Sequence, residues 1–247
     1  MTARTRRSGV RAAPRHGVAR TISKLGAGSR TEAARWVRAG RVRVNGRVVC
    51  DPESPVVPGH DLIEVAGTPL LPAVRTVLML NKPRGLITTA ADERGRNTVY
   101  QCLAGAELPW LAPVGRLDRA SEGLLLFSND SAWAARVTAP ATGPAKTYHV
   151  QIDQLPSAAL LERLAAGVVA DAQPLHAQSV RTLRSGLRHA WLEIVLAEGR
   201  NRQIRRMLEA CDVSVLRLIR VAVGTLQLGA LAKGHWRRLT AAEIESL

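Results

Sequence analysis

The sequence predicts an α+β chain in two parts, a small basic helix-plus-hairpin unit and a larger unit of mixed strands and helices. Three observations carry this. Residues 29–49 read as a capped helix followed by an Asn-Gly hairpin. A stretch rich in proline and glycine follows at 66–75. From residue 76 onward, strand and helix patterns mix without the regular alternation of a doubly wound sheet. The expected boundaries are 1–17 for a disordered Arg-rich tail, 18–66 for the basic unit, 67–75 for a linker and 76–247 for the large unit.

The tail carries Arg4, Arg6, Arg7, Arg11 and Arg15 and no acid. It lacks the apolar middle segment of a secretory signal. An organelle transit peptide shares that composition; a basic tail that touches phosphates is the preferred reading. Next, Ser29-Arg30-Thr31-Glu32 has the pattern of a capping box, and Ala33, Trp36 and Val37 recur at helical spacing. Gly40 suits a helix stop. In Val42 to Val49, apolar and basic residues alternate around Asn45-Gly46, the pair that a type I′ turn demands. Arg30, Arg35, Arg38, Arg41, Arg43 and Arg47 decorate this unit, with Glu32 its one acid before Asp51. Ser29, Arg30, Arg35, Arg38, Arg43 and Asn45 are the candidate RNA contacts.

In the large unit, Val77 to Leu80 and Leu124 to Phe127 read as buried strands. Lys146 to Asp153 alternates, with Tyr148, Val150 and Ile152 on one face. Ser157 to Ala166 reads as helix, and Trp191 to Leu196 as strand. Asn201 is placed to cap a helix whose core face is Ile204, Met207, Leu208 and Cys211. Val213 to Val221 completes the set as a strand.

Of the 247 residues 46% are hydrophobic, enough for a packed core, and 35 Lys and Arg against 20 Asp and Glu give a net charge of +15. Such a field draws polyanions. Nucleic acid is the first partner to consider and an anionic membrane the second, but no apolar run is long enough to span a bilayer. The three cysteines, Cys50, Cys102 and Cys211, lie far apart. That spacing argues against a disulfide scaffold or a zinc ribbon and fits a reducing, cytoplasmic setting. Gly26-x-Gly28-Ser29 does not follow a strand and lacks a third glycine, so no dinucleotide or methyl-donor site is read there. No cofactor and no metal are expected.

Three segments carry candidate chemistry. In Pro113-Val114-Gly115-Arg116-Leu117-Asp118-Arg119-Ala120-Ser121-Glu122-Gly123, an acid stands in a loop just before a core strand, flanked by cations that keep it ionised. Such a carboxylate serves as nucleophile or base; alone, the segment reads more simply as an Arg–Asp pair fixing a loop. Asn81-Lys82-Pro83-Arg84-Gly85 is a rigid basic turn suited to a phosphate backbone. Glu198-Gly199-Arg200-Asn201-Arg202-Gln203-Ile204-Arg205-Arg206-Met207 opens a helix with several cations off its core face.

Taken in order, Asn81-Lys82-Pro-x-Gly, Gly115-Arg116-Leu117-Asp118-x-x-x-x-Gly123-Leu-Leu-Leu, Lys146-x-Tyr148-x-Val150 and Glu198-Gly199-x-Asn201-x-Gln203-Ile204-Arg205-Arg206-Met207 resemble the bacterial ribosomal pseudouridine synthases of the RsuA/RluB type. The leading unit resembles the S4 RNA-binding domain that precedes the catalytic domain in those enzymes. The likeness runs from residue 18 to the C-terminus. The spelling Pro-Val-Gly-Arg-Leu-Asp with Gln-Ile-Arg-Arg-Met is nearer the large-subunit enzymes. One departure is Ala139-Pro140, where many relatives have His-Pro; it bears on RNA contacts, not on the reaction class.

The resemblance implies a mixed, largely antiparallel catalytic sheet and cofactor-free isomerisation of a ribosomal uridine, in 23S RNA or alternatively 16S RNA. It implies Asp118 as catalytic carboxylate, Tyr148 as active-site tyrosine and Arg205 as the basic partner of Asp118. Arg116 would occupy the space of the flipped nucleotide, because N1 and C5 cannot be processed inside a stack. Asn81, Lys82, Arg84, Lys146, Arg202 and Arg206 would contact substrate RNA. The implied partner is ribosomal RNA, free or in a partly assembled subunit; a single active site per chain makes a monomer the expected state. A non-catalytic ribosome-assembly factor would use the same basic unit without needing Asp118. A methyltransferase would require a donor site, and a DNA-binding regulator a recognition helix; neither pattern is found.

Overall fold

A computed structural model describes residues 15–90, 92, 94–140 and 142–247; the readings made of residues 1–14 fall outside it. The chain divides into two units, Met1–Val74 and Arg75–Leu247. No helix among the described residues is long and apolar enough to cross a membrane.

The first unit opens on β1 (His16–Gly17), which pairs antiparallel with β4 (Pro55–Val56). This corrects the expected tail boundary of 17. A two-residue strand is set by a distant partner and leaves no local signal. Helices α1 (Val18–Lys24) and α2 (Arg30–Arg38) follow. The Ser29 hydroxyl accepts from Glu32 N at 3.1 Å and the Glu32 carboxylate accepts from Ser29 N at 2.9 Å, so two orphan donors are satisfied at once. Ala33 and Val37 pack on Val18, Ala19 and Ile22. β2 (Val42–Val44) and β3 (Arg47–Val49) form the hairpin, with Asn45 at φ 50° and Gly46 at φ 78° as the turn requires. With β5 (Ile63–Val65) and β6 (Thr68–Pro69) they make a sheet of order β3-β2-β5-β6. The expected linker at 67–75 therefore begins inside the sheet, and Leu70 packs on the core.

The second unit is built on one nine-stranded sheet. Its strands include β7 (Val77–Lys82), β8 (Ala112–Val114), β9 (Glu122–Ser128) and, after α3 (Ser131–Thr138), β10 (Lys146–Ile152). Helix α4 (Ala158–Ala166) leads to a separate two-stranded hairpin of β11 (Val168–Ala170) and β12 (Gln173–Leu175). The large sheet resumes with β13 (Ser179–Ser185) and β14 (Ala190–Leu196), then α5 (Gln203–Glu209) and β15 (Val215–Val223). β16 (Leu226–Gln227), β17 (Trp236–Arg238) and α6 (Ala241–Glu245) end the fold. The order is β13-β14-β10-β15-β9-β7-β17, with β16 on β15 and β8 on β9. Every pairing of named strands is antiparallel except β9 with β15.

That parallel contact depends on Gly123. Its φ is +101°, and an added Cβ would lie 2.2 Å from the Arg220 carbonyl oxygen. Only glycine lets the two backbones approach so closely. Tyr148, Val150 and Ile152 of β10 face a core shared with α4 and α5, while α3 closes a second core with Trp133 and Val137. Between Thr147 and Tyr148 the register with β15 shifts by a bulge, so Tyr148 stands opposite Arg220. Bulges of this kind re-aim side chains.

Candidate active site

Three segments meet around a cleft of about 550 Å³: the loop 115–121 between β8 and β9, the inward face of β10 and β15, and the loop 198–202 that opens α5. Arg116, Asp118, Lys146, Tyr148, Arg202, Arg205 and Arg220 all line it.

The loop bearing Asp118 is fixed through its backbone at four points. Leu117 is buried, and its carbonyl accepts from the Thr88 hydroxyl at 2.7 Å. The Arg119 carbonyl accepts from Gly85 N at 2.8 Å. The Ala120 carbonyl accepts from the Arg205 guanidinium at 3.4 Å. The Ser121 carbonyl accepts from Lys82 Nζ at 2.9 Å. The carboxylate itself stays 38% exposed, 3.9 Å from a guanidinium nitrogen of Arg202. A group held by its backbone and free at its tip is preorganised for a reactant.

Tyr148 is 8% exposed, and its hydroxyl has no hydrogen-bond partner among the described residues. Arg205 is half-buried; its guanidinium donates to the carbonyls of Val215 and Ala120, each at 3.4 Å. Its Nε is buried and unpartnered among the described residues. Burial pulls its pKa down, Arg202 and Arg84 add to this, and Asp118 opposes it. Arg116 is exposed, and its side chain makes no hydrogen bond or ion pair among the described residues.

Several expected assignments need correction. The ion pair of Asp118 is with Arg202, not Arg205, because Arg205 is drawn to backbone carbonyls of the loop and of β15. Asn81 is buried; its amide donates to Leu231 O at 2.7 Å, and its backbone is bonded to His235 and Gly234. Lys82 is fully buried, with Nζ donating to Pro83 O at 3.0 Å as well as to Ser121 O. Neither is placed to touch RNA. Burial pushes the Lys82 ammonium down to about 8, although Asp118, Cys102 and Glu122 favour its charge. Arg206 turns away to the β11–β12 hairpin, pairing with Asp171 at 2.7 Å and with Ala170 O at 2.9 Å. Asn201 does not cap α5: the N-cap is Arg202, at φ 48° and with no side-chain cap bond. Arg84 is exposed beside the Asp118 loop.

In the first unit, Ser29 is the helix cap described above. Asn45 is likewise committed, donating to Asp61 at 3.0 Å and accepting from Leu62 N at 2.9 Å. Arg30, Arg35, Arg38 and Arg43 are exposed. Arg220 was missed by the sequence reading, although a signal exists: it shares strand parity with the buried Leu218 and Ala222. Among the described residues no three His, Cys, Asp or Glu gather as a metal site.

The profile described as RNA pseudouridylate synthase matches residues 76–210, and that described as S4 domain matches residues 18–62. The chain is 33% identical over 228 residues to an uncharacterized RNA pseudouridine synthase of Aquifex aeolicus, covering 92% of this chain and 91% of that one. It is 33% identical over 231 residues to the ribosomal large subunit pseudouridine synthase B of Bacillus subtilis, covering 92% and 93%. A solved pseudouridylate synthase matches with a TM-score of 0.63 at 27% identity, over 94% of this chain and 99% of that one.

Proposed function

The chain belongs to the RNA pseudouridylate synthase family, and from that premise we propose that it isomerises one uridine of large-subunit ribosomal RNA through Asp118. The observation that carries this reading is the part-exposed carboxylate of Asp118, faced by Arg202 on a backbone-anchored loop that shares one cleft with Tyr148 and Arg205. The Bacillus relative's name supports the large subunit as the source of the RNA.

The reaction breaks the N1–C1′ bond, turns the base and forms C5–C1′. C5 gives up a proton and N1 gains one. Atoms and electrons balance within the nucleotide, so no redox partner or group donor enters. Asp118 is the reacting carboxylate, faced by the Arg202 guanidinium at 3.9 Å, while Arg205 holds its loop through Ala120 O. Tyr148 lies in the cleft against the base, and its unpartnered hydroxyl relays the C5 proton, passing its own proton to solvent as it takes that one up. Arg116, exposed and unpartnered, enters the stack from which the target is flipped. Extrusion costs a few kcal/mol, offset by phosphate contacts from Arg84 and Arg202 and from Arg30, Arg35, Arg38 and Arg43. With Asp118, Tyr148, Arg202 and Arg205 all supplied to one cleft by a single chain, the protein works as a monomer, in the cytoplasm, on free RNA or a partly assembled subunit.

The test is tritium release from ribosomal RNA labelled at uridine C5, without added cofactor. Wild-type protein should release tritium, and Asp118→Asn should be slower by about a thousandfold or more. Release at equal rates from both would overturn the role of Asp118. Absence of release from naked RNA and from partly assembled subunits alike would overturn the enzyme reading on this substrate.

A further inference from the structure

Besides Arg116 and Arg205, two cations lining the cleft, Arg220 and Lys146, have no anion among the described residues. Arg220 is 6% exposed and sits on the inward row of β15, opposite Tyr148. Its Nε donates to Leu124 O at 2.7 Å, which fixes the plane of the guanidinium. Its terminal nitrogens have no hydrogen-bond partner among the described residues and are not sealed off. Lys146 is two residues before Tyr148 on β10, so the two share a face. It is half-buried and makes no side-chain hydrogen bond or ion pair among the described residues. Both cations line the cleft from the adjacent strands β10 and β15, with Tyr148 directly opposite Arg220; burial first, and then the charge of Arg220, pushes the Lys146 ammonium pKa down.

The carboxylates lining the cleft are both committed elsewhere: Asp118 faces Arg202 at 3.9 Å, and Glu198 pairs with Arg200 at 2.9 Å. A buried and a half-buried positive charge side by side without a counter-charge are unfavourable in a folded chain. An incoming anion would relieve that. A uracil ring is neutral, so the base cannot be the anion. Alternate positions on a strand are about 7 Å apart, the scale of a nucleotide, so a base resting against Tyr148 brings its own phosphate towards Lys146.

We propose that Arg220 and Lys146 form a phosphate subsite, which grips a backbone phosphate flanking the nucleotide in the cleft. This rests on the reading of the cleft as RNA-modifying. Arg220 supplies a preset fork and Lys146 a mobile point charge. The subsite orients the flipped nucleotide and leaves the chemistry to Asp118 and Tyr148.

The probes are uridine 3′,5′-bisphosphate and uridine, titrated against the full chain by NMR. The wild type should bind the bisphosphate at least about tenfold more tightly than uridine. Arg220→Gln and Lys146→Met should each bring the bisphosphate close to the uridine level while leaving uridine binding unchanged. Equal affinity of the wild type for both probes, or a gap that survives both substitutions, overturns the subsite. Lys146→Met breaks no hydrogen bond, so it carries the test if loss of the Leu124 contact unfolds Arg220→Gln. Tritium release by the same preparation separates the two readings. Active protein without the affinity gap sinks the subsite alone; inactive protein with the gap sinks the synthase reading alone.

Discussion

The two units handle positive charge in opposite ways. In the first, Arg30, Arg35, Arg38, Arg41, Arg43 and Arg47 are exposed and form no ion pair among the described residues. They are interchangeable sources of field. In the second, Lys82, Arg202, Arg205 and Arg220 are each tied to named partners: Lys82 to the Pro83 and Ser121 carbonyls, Arg202 to the Asp118 carboxylate, Arg205 to the Ala120 and Val215 carbonyls, and Arg220 to Leu124 O. Binding a polyanion needs charge density, and a distributed surface supplies it at any register. Acting on one atom of one base needs position, which only a packed, hydrogen-bonded frame supplies. The contrast predicts that changes in the second unit are large and local, and changes in the first small and cumulative.

The largest effect should come from a substitution that alters no charge. Gly123→Ala puts a Cβ 2.2 Å from the Arg220 carbonyl oxygen and 2.9 Å from its amide nitrogen, at a φ of +101°. Neither strand can give way, because β9 and β15 lie side by side in the middle of the sheet. A loss of about 3 kcal/mol in chemical denaturation is expected, with activity falling as the Asp118 loop and Arg220 part. A variant as stable and active as the wild type would break the claim that position governs this unit.

A smaller effect tests Lys82. Its pKa falls from 10.5 in the unfolded chain to about 8 in the fold, chiefly through burial. Between those values the unfolded chain binds more protons, so stability should rise as pH climbs through that window. Denaturation at intervals from pH 7.5 to 10 should show the rise in the wild type and its absence in Lys82→Met. That variant should also be less stable at pH 7 by about 1–3 kcal/mol, since the Pro83 and Ser121 carbonyls lose their donor. A parallel pH profile in both proteins would show that the buried ammonium is not the titrating group.

Local devices were readable from the sequence, and distant partnerships were not. The Ser29–Glu32 capping box and the Asn45-Gly46 turn are encoded within four residues, and both form. The alternation of Tyr148, Val150 and Ile152 specifies a face, and that face is buried. By contrast, the same basic letters gave no hint of which cations the fold would use up. Asn81 is bonded to Leu231, 150 positions away, and Lys82 to Ser121, 39 away. Arg206 faces an acid in a hairpin that precedes it by a whole strand pair. Arg220 shows a different gap: it drew no reading at all, although its strand parity places it with the buried Leu218 and Ala222.

The smallest effect should be found among the arginines of the first unit. Substituting Arg30, Arg35, Arg38 or Arg43 by Gln removes no ion pair and no burial, so stability should stay within about 0.5 kcal/mol of the wild type. Affinity for ribosomal RNA should fall modestly and by similar factors for each. For every arginine that meets a phosphate, the slope of log affinity against log salt should shrink by about one. Two substitutions together should act additively, because the positions share no partner. If one of these arginines instead removed most of the affinity and left the salt slope intact, that side chain would be reading a base or a loop edge. The first unit would then share the positional logic of the cleft.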